Sequence, residues 1–182
     1  GMGIEVFDGT CVGSVMYCGT GTHHEFAVAP QVYPNAQTYF IRVFSNTPGS
    51  FSICTSGNPM NDECTYPEGL PLNLQSNCPA NAVPGTTQYA SPSAGASCGN
   101  DQQDVWYQVH SGSATAMLVN LTSSGAAGLG LQVRSGSCAG PVVYCGTGLS
   151  HGFVTDPGTY YYLRVFSSGQ GSFTICASQT SG

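Results

Sequence analysis

The sequence predicts an all-β protein, an antiparallel sandwich or barrel, and three observations carry that expectation. Apolar residues alternate with more polar ones in short runs. Glycine, serine or proline interrupts the chain every few residues, and no stretch combines a 3.6-residue apolar stripe with helix caps. Period-two alternation places every second side chain on one face of a sheet, the face that a two-layer fold buries.

The strands follow in order. Ile4/Val6, Val15/Tyr17, Tyr39/Ile41/Val43 and Phe51/Ile53 each mark one, and Val105/Tyr107/Val109 and Met117/Val119/Leu121 mark two more. Leu131/Val133, Val142/Tyr144, Tyr161/Leu163/Val165 and Phe173/Ile175 then repeat the first set. Asn46-Thr47-Pro48-Gly49 and Ser168-Gly169-Gln170-Gly171 are turn sequences expected to close the last hairpin of each set. Residues 77–99, rich in Pro, Ser, Ala and Gly, predict a long surface excursion.

The repeat sets the organisation. GIEVFDGTCVGSVMYCGTG (3–21) aligns without a gap to GLQVRSGSCAGPVVYCGTG (130–148), YFIRVFS (39–45) matches YYLRVFS (161–167), and GSFSIC (49–54) matches GSFTIC (171–176). Residues 61–129 have no counterpart before Gly3. The expected domains are therefore the C-terminal half of one module, 1–57, and a complete module, 58–182, joined through Ser56-Gly57-Asn58-Pro59-Met60. Gly1 before Met2 has the look of a tag-cleavage scar. Half a sandwich leaves apolar surface and strand edges open, so 1–57 is expected to pack on the complete module or on a second copy of itself.

Nine cysteines in 182 residues point to disulfides and an oxidising compartment. The complete module has six (Cys64, Cys78, Cys98, Cys138, Cys145, Cys176), which permit fifteen pairings. The expected set is Cys138–Cys145, Cys78–Cys98 and Cys64–Cys176, with Cys11–Cys18 in the first module. Cys54 is left as a free thiol, because the partner of its equivalent Cys176 is expected in the other half of a module.

Composition excludes several functions. The net charge is −6, there is no lysine, and the three basic residues are arginines. Nucleic-acid binding and polybasic membrane attachment both need clustered positive charge. No apolar run reaches the ~18 residues of a membrane span.

Asn61-Asp62-Glu63-Cys64, Asp104-Val105-Trp106-Tyr107, Gly136-Ser137-Cys138 and Tyr161-Tyr162-Leu163-Arg164-Val165 follow one another in an informative order. On these motifs, residues 61–180 resemble the pre-peptidase C-terminal (PPC-like) modules of large secreted bacterial proteins. The later part of the pattern covers 3–54. The resemblance implies a jelly-roll or CUB-like β-sandwich, an accessory or adhesive role and no catalysis.

Several constellations carry possible chemistry. Gly148-Leu149-Ser150-His151-Gly152 matches G-x-S-x-G, whose serine needs a strand-to-helix turn, but nothing after Gly152 reads as a helix. His23-His24-Glu25 suggests a metal, yet neighbours on a strand face opposite ways. His24 aligns with His151, which favours a shared structural bond to a loop carbonyl. Asp62, Glu63, Asp101 and Asp104 are a candidate calcium set, with solvated or turn-capping carboxylates as the alternative. Phe40, Arg42 and Phe44, with their counterparts Tyr162, Arg164 and Phe166, form aromatic-Arg-aromatic rows. These rows are either a ligand face or a covered sheet surface with arginine stacked on the rings. Trp106 points away from the apolar face of its strand, as a plug or a platform.

The expected function is a non-catalytic binding, adhesion or spacer module of a secreted or cell-surface protein, with protein or carbohydrate partners. It has no cofactor beyond the candidate calcium. The alternative is an accessory domain that targets a secreted hydrolase to its substrate.

Overall fold

A computed structural model of the chain describes residues 1–26, 38–93, 98–99 and 103–180, which divide into two compact units, Gly1–Thr55 and Ser56–Gly182. The fold is all-β, with no α-helix and one 3-10 turn at Gln75–Asn77 among the described residues.

The first unit is a three-stranded antiparallel sheet. Strands β1 (Met2–Asp8), β2 (Val15–Thr20) and β3 (Tyr39–Ser45) lie in the order β2-β1-β3, so Ile4 stands opposite Gly19 on one side and Val43 on the other.

The second unit is a sandwich. Its strands are β4 (Glu68–Gly69), β5 (Leu72–Leu74), β6 (Val83–Thr86), β7 (Gln103–His110), β8 (Ala116–Ser123), β9 (Gly130–Ser135), β10 (Val142–Thr147), β11 (Ser150–Val154), β12 (Tyr160–Ser167) and β13 (Ser172–Gln179). One sheet has the order β10-β9-β12-β7-β4. The other has β11-β8-β13-β5, with β6 pairing the first half of β13 and β5 the second. The pairings β4–β7 and β5–β13 are parallel, so the sheets are mixed rather than purely antiparallel. Val105, Tyr107, Leu131, Val133, Leu163 and Val165 from the first sheet meet Met117, Val119, Leu121, Phe173 and Ile175 from the second in one core.

The repeat survives as geometry. Leu131 lies opposite Gly146 and Val165, as Ile4 lies opposite Gly19 and Val43. Thus β1, β2 and β3 reproduce β9, β10 and β12. The predicted strand at Phe51/Ile53 does not form. Its counterpart β13 is held by β8, β5 and β6, and all three come from residues 68–123. Residues 1–57 carry no sequence equivalent of that segment. The expected final hairpin is also corrected: β12 and β13 belong to opposite sheets, so Ser168–Gly171 turns the chain from one layer to the other. Residues 77–99 are more than an excursion, since they contain β6.

The disulfides are Cys64–Cys138, Cys78–Cys176 and Cys98–Cys145, with Cα separations of 5.8, 6.0 and 6.1 Å. None matches the expected set, and sheet geometry explains why. Cys145 lies three residues into β10. At ~3.3 Å per residue that is ~10 Å along the strand from its start, beyond the ~7 Å that a bridge to Cys138 in the preceding turn allows. Cys176 alternates with core residues Ile175 and Ala177, so it faces outward from the second sheet. Cys64 and Cys98 lie over the outer face of the first sheet, with both layers between them and Cys176 or Cys78. Cys11 and Cys18 are likewise unbridged, leaving Cys11, Cys18 and Cys54 as exposed free thiols. Each native disulfide joins residues 64–98 to residues 138–176.

Ile175 is fully buried between the sheets, whereas its counterpart Ile53 is exposed. Ile175→Ala should therefore cost about 2–5 kcal/mol in urea unfolding. Ile53→Ala should cost under about 0.5 kcal/mol.

Candidate functional site

The outer face of the first sheet in the second unit holds a buried polar cluster. Alternation along β7 puts Val105, Tyr107 and Val109 in the core and turns Asp104 and Trp106 outward. The same alternation turns Gln132 and Arg134 outward on β9, and Arg164 and Phe166 on β12. Arg164 Nη2 stands 2.7 Å from Asp104 Oδ2, both side chains fully buried. The Ser93 N–H donates to Asp104 Oδ2 at 3.0 Å, and the Ser93 hydroxyl donates to Oδ1. Trp106 Nε1 donates to Ser93 Oγ at 2.8 Å. Arg164 Nη1 donates to the Cys98 carbonyl at 2.9 Å and to Gln132 Oε1 at 3.3 Å. The guanidinium carbon lies 5.5 Å from the centre of the Phe166 ring.

This cluster fastens Ser93 and Cys98 over the sheet, and Cys98–Cys145 locks Cys98 covalently. Phe166 lies flat against Gly130 and Gly99, where an added Cβ would fall 2.3 and 2.2 Å from its ring. Only glycine permits that approach. A shallow cavity of about 190 Å³ remains, lined by Glu63, Cys64, Trp106, Gln132, Arg134 and Arg164 among others. It is smaller than the ~300–1,000 Å³ typical of small-molecule sites.

The candidate calcium carboxylates are occupied or apart. Asp62 accepts from the Ser91 N–H at 2.7 Å, the Ser91 hydroxyl at 2.8 Å and the Asn58 amide at 2.8 Å. It therefore organises a turn. Asp104 is committed to Arg164 and Ser93, Glu63 is exposed, and Asp101 lies outside the described residues. Among the described residues no group of three or more His, Cys, Asp or Glu side chains could hold a metal ion.

The ligand-face reading is corrected for Arg164 and Phe166, which are buried, Arg164 against the Cys98 carbonyl and Phe166 against Gly99. Tyr162 is half-buried, its hydroxyl accepting from Gln108 Nε2 at 2.7 Å. In the first unit Phe40 and Phe44 are half-buried and Arg42 is exposed, 2.8 Å from Glu5 and 6.0 Å from the Phe44 ring centre. Trp106 is buried, a plug rather than a platform.

The G-x-S-x-G segment is a crossing between sheets. Gly148 has φ +111°, a backbone conformation open to glycine, and it lets β10 pass into β11 without a helix. Ser150 is exposed and donates to Asn120 at 3.1 Å, while His151 turns inward. His151 Nε2 donates to the Gly148 carbonyl at 3.0 Å and Nδ1 meets the Tyr144 hydroxyl at 3.2 Å. His24 repeats both contacts, to Gly21 at 3.1 Å and Tyr17 at 3.2 Å, the shared structural bond that the alignment anticipates. Serine and histidine therefore do not act as a nucleophile–base pair here. Burial holds the His151 pKa below its ordinary value, partly offset by the Gly148 bond. Ser93 carries the cluster without any signal in the sequence, since nothing in a Pro/Ser/Ala run marks which serine meets an aspartate.

Neither a protein-family model nor a curated protein matches this sequence. Among solved structures, the pre-peptidase C-terminal domain of a collagenase from Bacillus anthracis is similar at 16% identity and a TM-score of 0.41, over 70% of this chain and 99% of that one. A family 6 carbohydrate-binding module is similar at 16% identity and a TM-score of 0.35, over 56% of this chain and 78% of that one. Neither likeness is strong enough to carry a function to this chain.

Asp104→Asn strands the Arg164 charge in a dry site, and should lower stability by about 3–5 kcal/mol in chemical denaturation. Glu5→Gln, at the part-exposed pair with Arg42, should change it by less than about 1 kcal/mol.

The depressed His151 pKa implies that the unfolded chain binds the proton more readily than the native one. The contribution is intact above the ordinary value of 6.5 and falls away as pH drops from there toward the native pKa. Imidazole NMR titration should place His151 below 6.5. His151→Phe should flatten this part of the stability–pH curve.

Proposed function

We propose that the second unit is a non-catalytic extracellular module that attaches or spaces the parts of a larger secreted protein. The observation that carries this reading is the commitment of its reactive side chains. Asp104, Arg164, Ser93, His151 and Asp62 are all spent on holding loops to sheets, and three disulfides fix the same loops. Disulfides of this density belong to oxidising compartments, which supports secretion or surface display. The motif resemblance to PPC-like modules points the same way.

Attachment would use side chains that remain accessible. Tyr160 is half exposed, its ring centre 4.6 Å from that of His110, and half-buried Tyr162 lies two residues on. The exposed face of the Tyr160 ring offers an apolar surface to a sugar ring or a partner side chain.

Pull-down on insoluble polysaccharides and a glycan array should retain the chain, and Tyr160→Ala or Tyr162→Ala should weaken retention at least tenfold with folding intact. Retention by none of these surfaces would favour spacing over attachment. Release of soluble sugar or peptide from any substrate would overturn the non-catalytic reading.

A further inference from the structure

We infer that the first unit is a receiving half-module: its sheet and its three thiols bind a polypeptide segment of the kind that residues 58–128 supply within the second unit. The internal repeat provides the control. Cys11, Cys18 and Cys54 stand where Cys138, Cys145 and Cys176 stand, and in the second unit these bond to Cys64, Cys98 and Cys78. All three partners come from residues 64–98, which have no counterpart within residues 1–57.

Non-covalent features agree. Phe51 and Ile53 are each 54% exposed, whereas Phe173 and Ile175 are 1% and 0% exposed under β8 and β6. The Arg42 side chain is 64% exposed on Glu5, whereas Arg164 is 0% exposed on Asp104. The edge of β3 stands where the edge of β12 receives β7. The occupant is thus specified: a β7-like strand with an aspartate before its tryptophan to meet Arg42, a β8-like strand to order 50–54, and three cysteines. Closure converts six thiols to three disulfides. Each bond forms as two thiols lose two protons and two electrons to one equivalent of a disulfide oxidant such as oxidised glutathione, which leaves as two thiols.

The test uses the full chain, alone and extended by a second copy of residues 58–128 joined directly before Met2, which stands where Leu129 stands. Refolded with glutathione buffer, the unextended chain should keep three alkylatable thiols. The extended chain should have none, and peptide mapping should link Cys11, Cys18 and Cys54 to the added copies of Cys64, Cys98 and Cys78. Changing only the added Cys98 to serine should return Cys18 alone to the thiol pool. An added copy with all three cysteines changed to serine should still slow amide exchange across 51–54, because strand pairing orders that segment. Persistent thiols, any other pairing, unchanged exchange in the serine copy, or an unextended chain whose thiols close between two copies would each overturn the inference.

Discussion

The position of β8 between β11 and β13 is the constraint on which the sandwich rests. A strand ladder satisfies backbone polar groups only when both edges find partners, and β8 supplies the partner for two strands of the C-terminal half at once. With it, Phe173, Ile175 and Phe153 face a closed core. In the first unit, which has no such strand among the described residues, the same sequence pattern GSFSIC forms no strand. Near-identical residues reach different structures because long-range pairing overrides local propensity.

The outer face of the first sheet uses a different means of closure. A buried ion pair contributes little net stability, since desolvation offsets most of its Coulomb energy. Asp104 and Arg164 instead fix position. Their remaining hydrogen bonds go to Ser93, Cys98 and Gln132, so one pair sets the positions of Ser93 and Cys98 against the sheet. The disulfides act on the unfolded chain: loops of 74, 98 and 47 residues each remove about 4–5 kcal/mol of chain entropy if taken singly.

The core was legible because a single face is buried. Val105/Tyr107/Val109 and Leu163/Val165 alternate plainly, and the repeat doubled the signal at Leu131/Val133. The short strands β4, β5 and β6 were not legible. Glu68–Gly69 and Val83–Thr86 carry a proline, glycines or polar residues, and two to four residues are too few to show a period-two pattern. The cysteine pairing failed for a related reason. Spacing along the chain says which residues are near in sequence, while bridging depends on which side of which layer each sulfur occupies. Of the site residues, the covered state of Arg164 and Phe166 was one of two readings left open, and no pattern identified Ser93 as the third member of the cluster.

Trp106 is the single indole of the chain and lies beneath Ser93 in the second unit. Its emission therefore watches one place: the seat of Ser93 on the outer face of a sheet. Loss of that contact would wet the ring and redden its light. The first unit, whose aromatic rings are tyrosine and phenylalanine, stays dark at wavelengths that only indole absorbs.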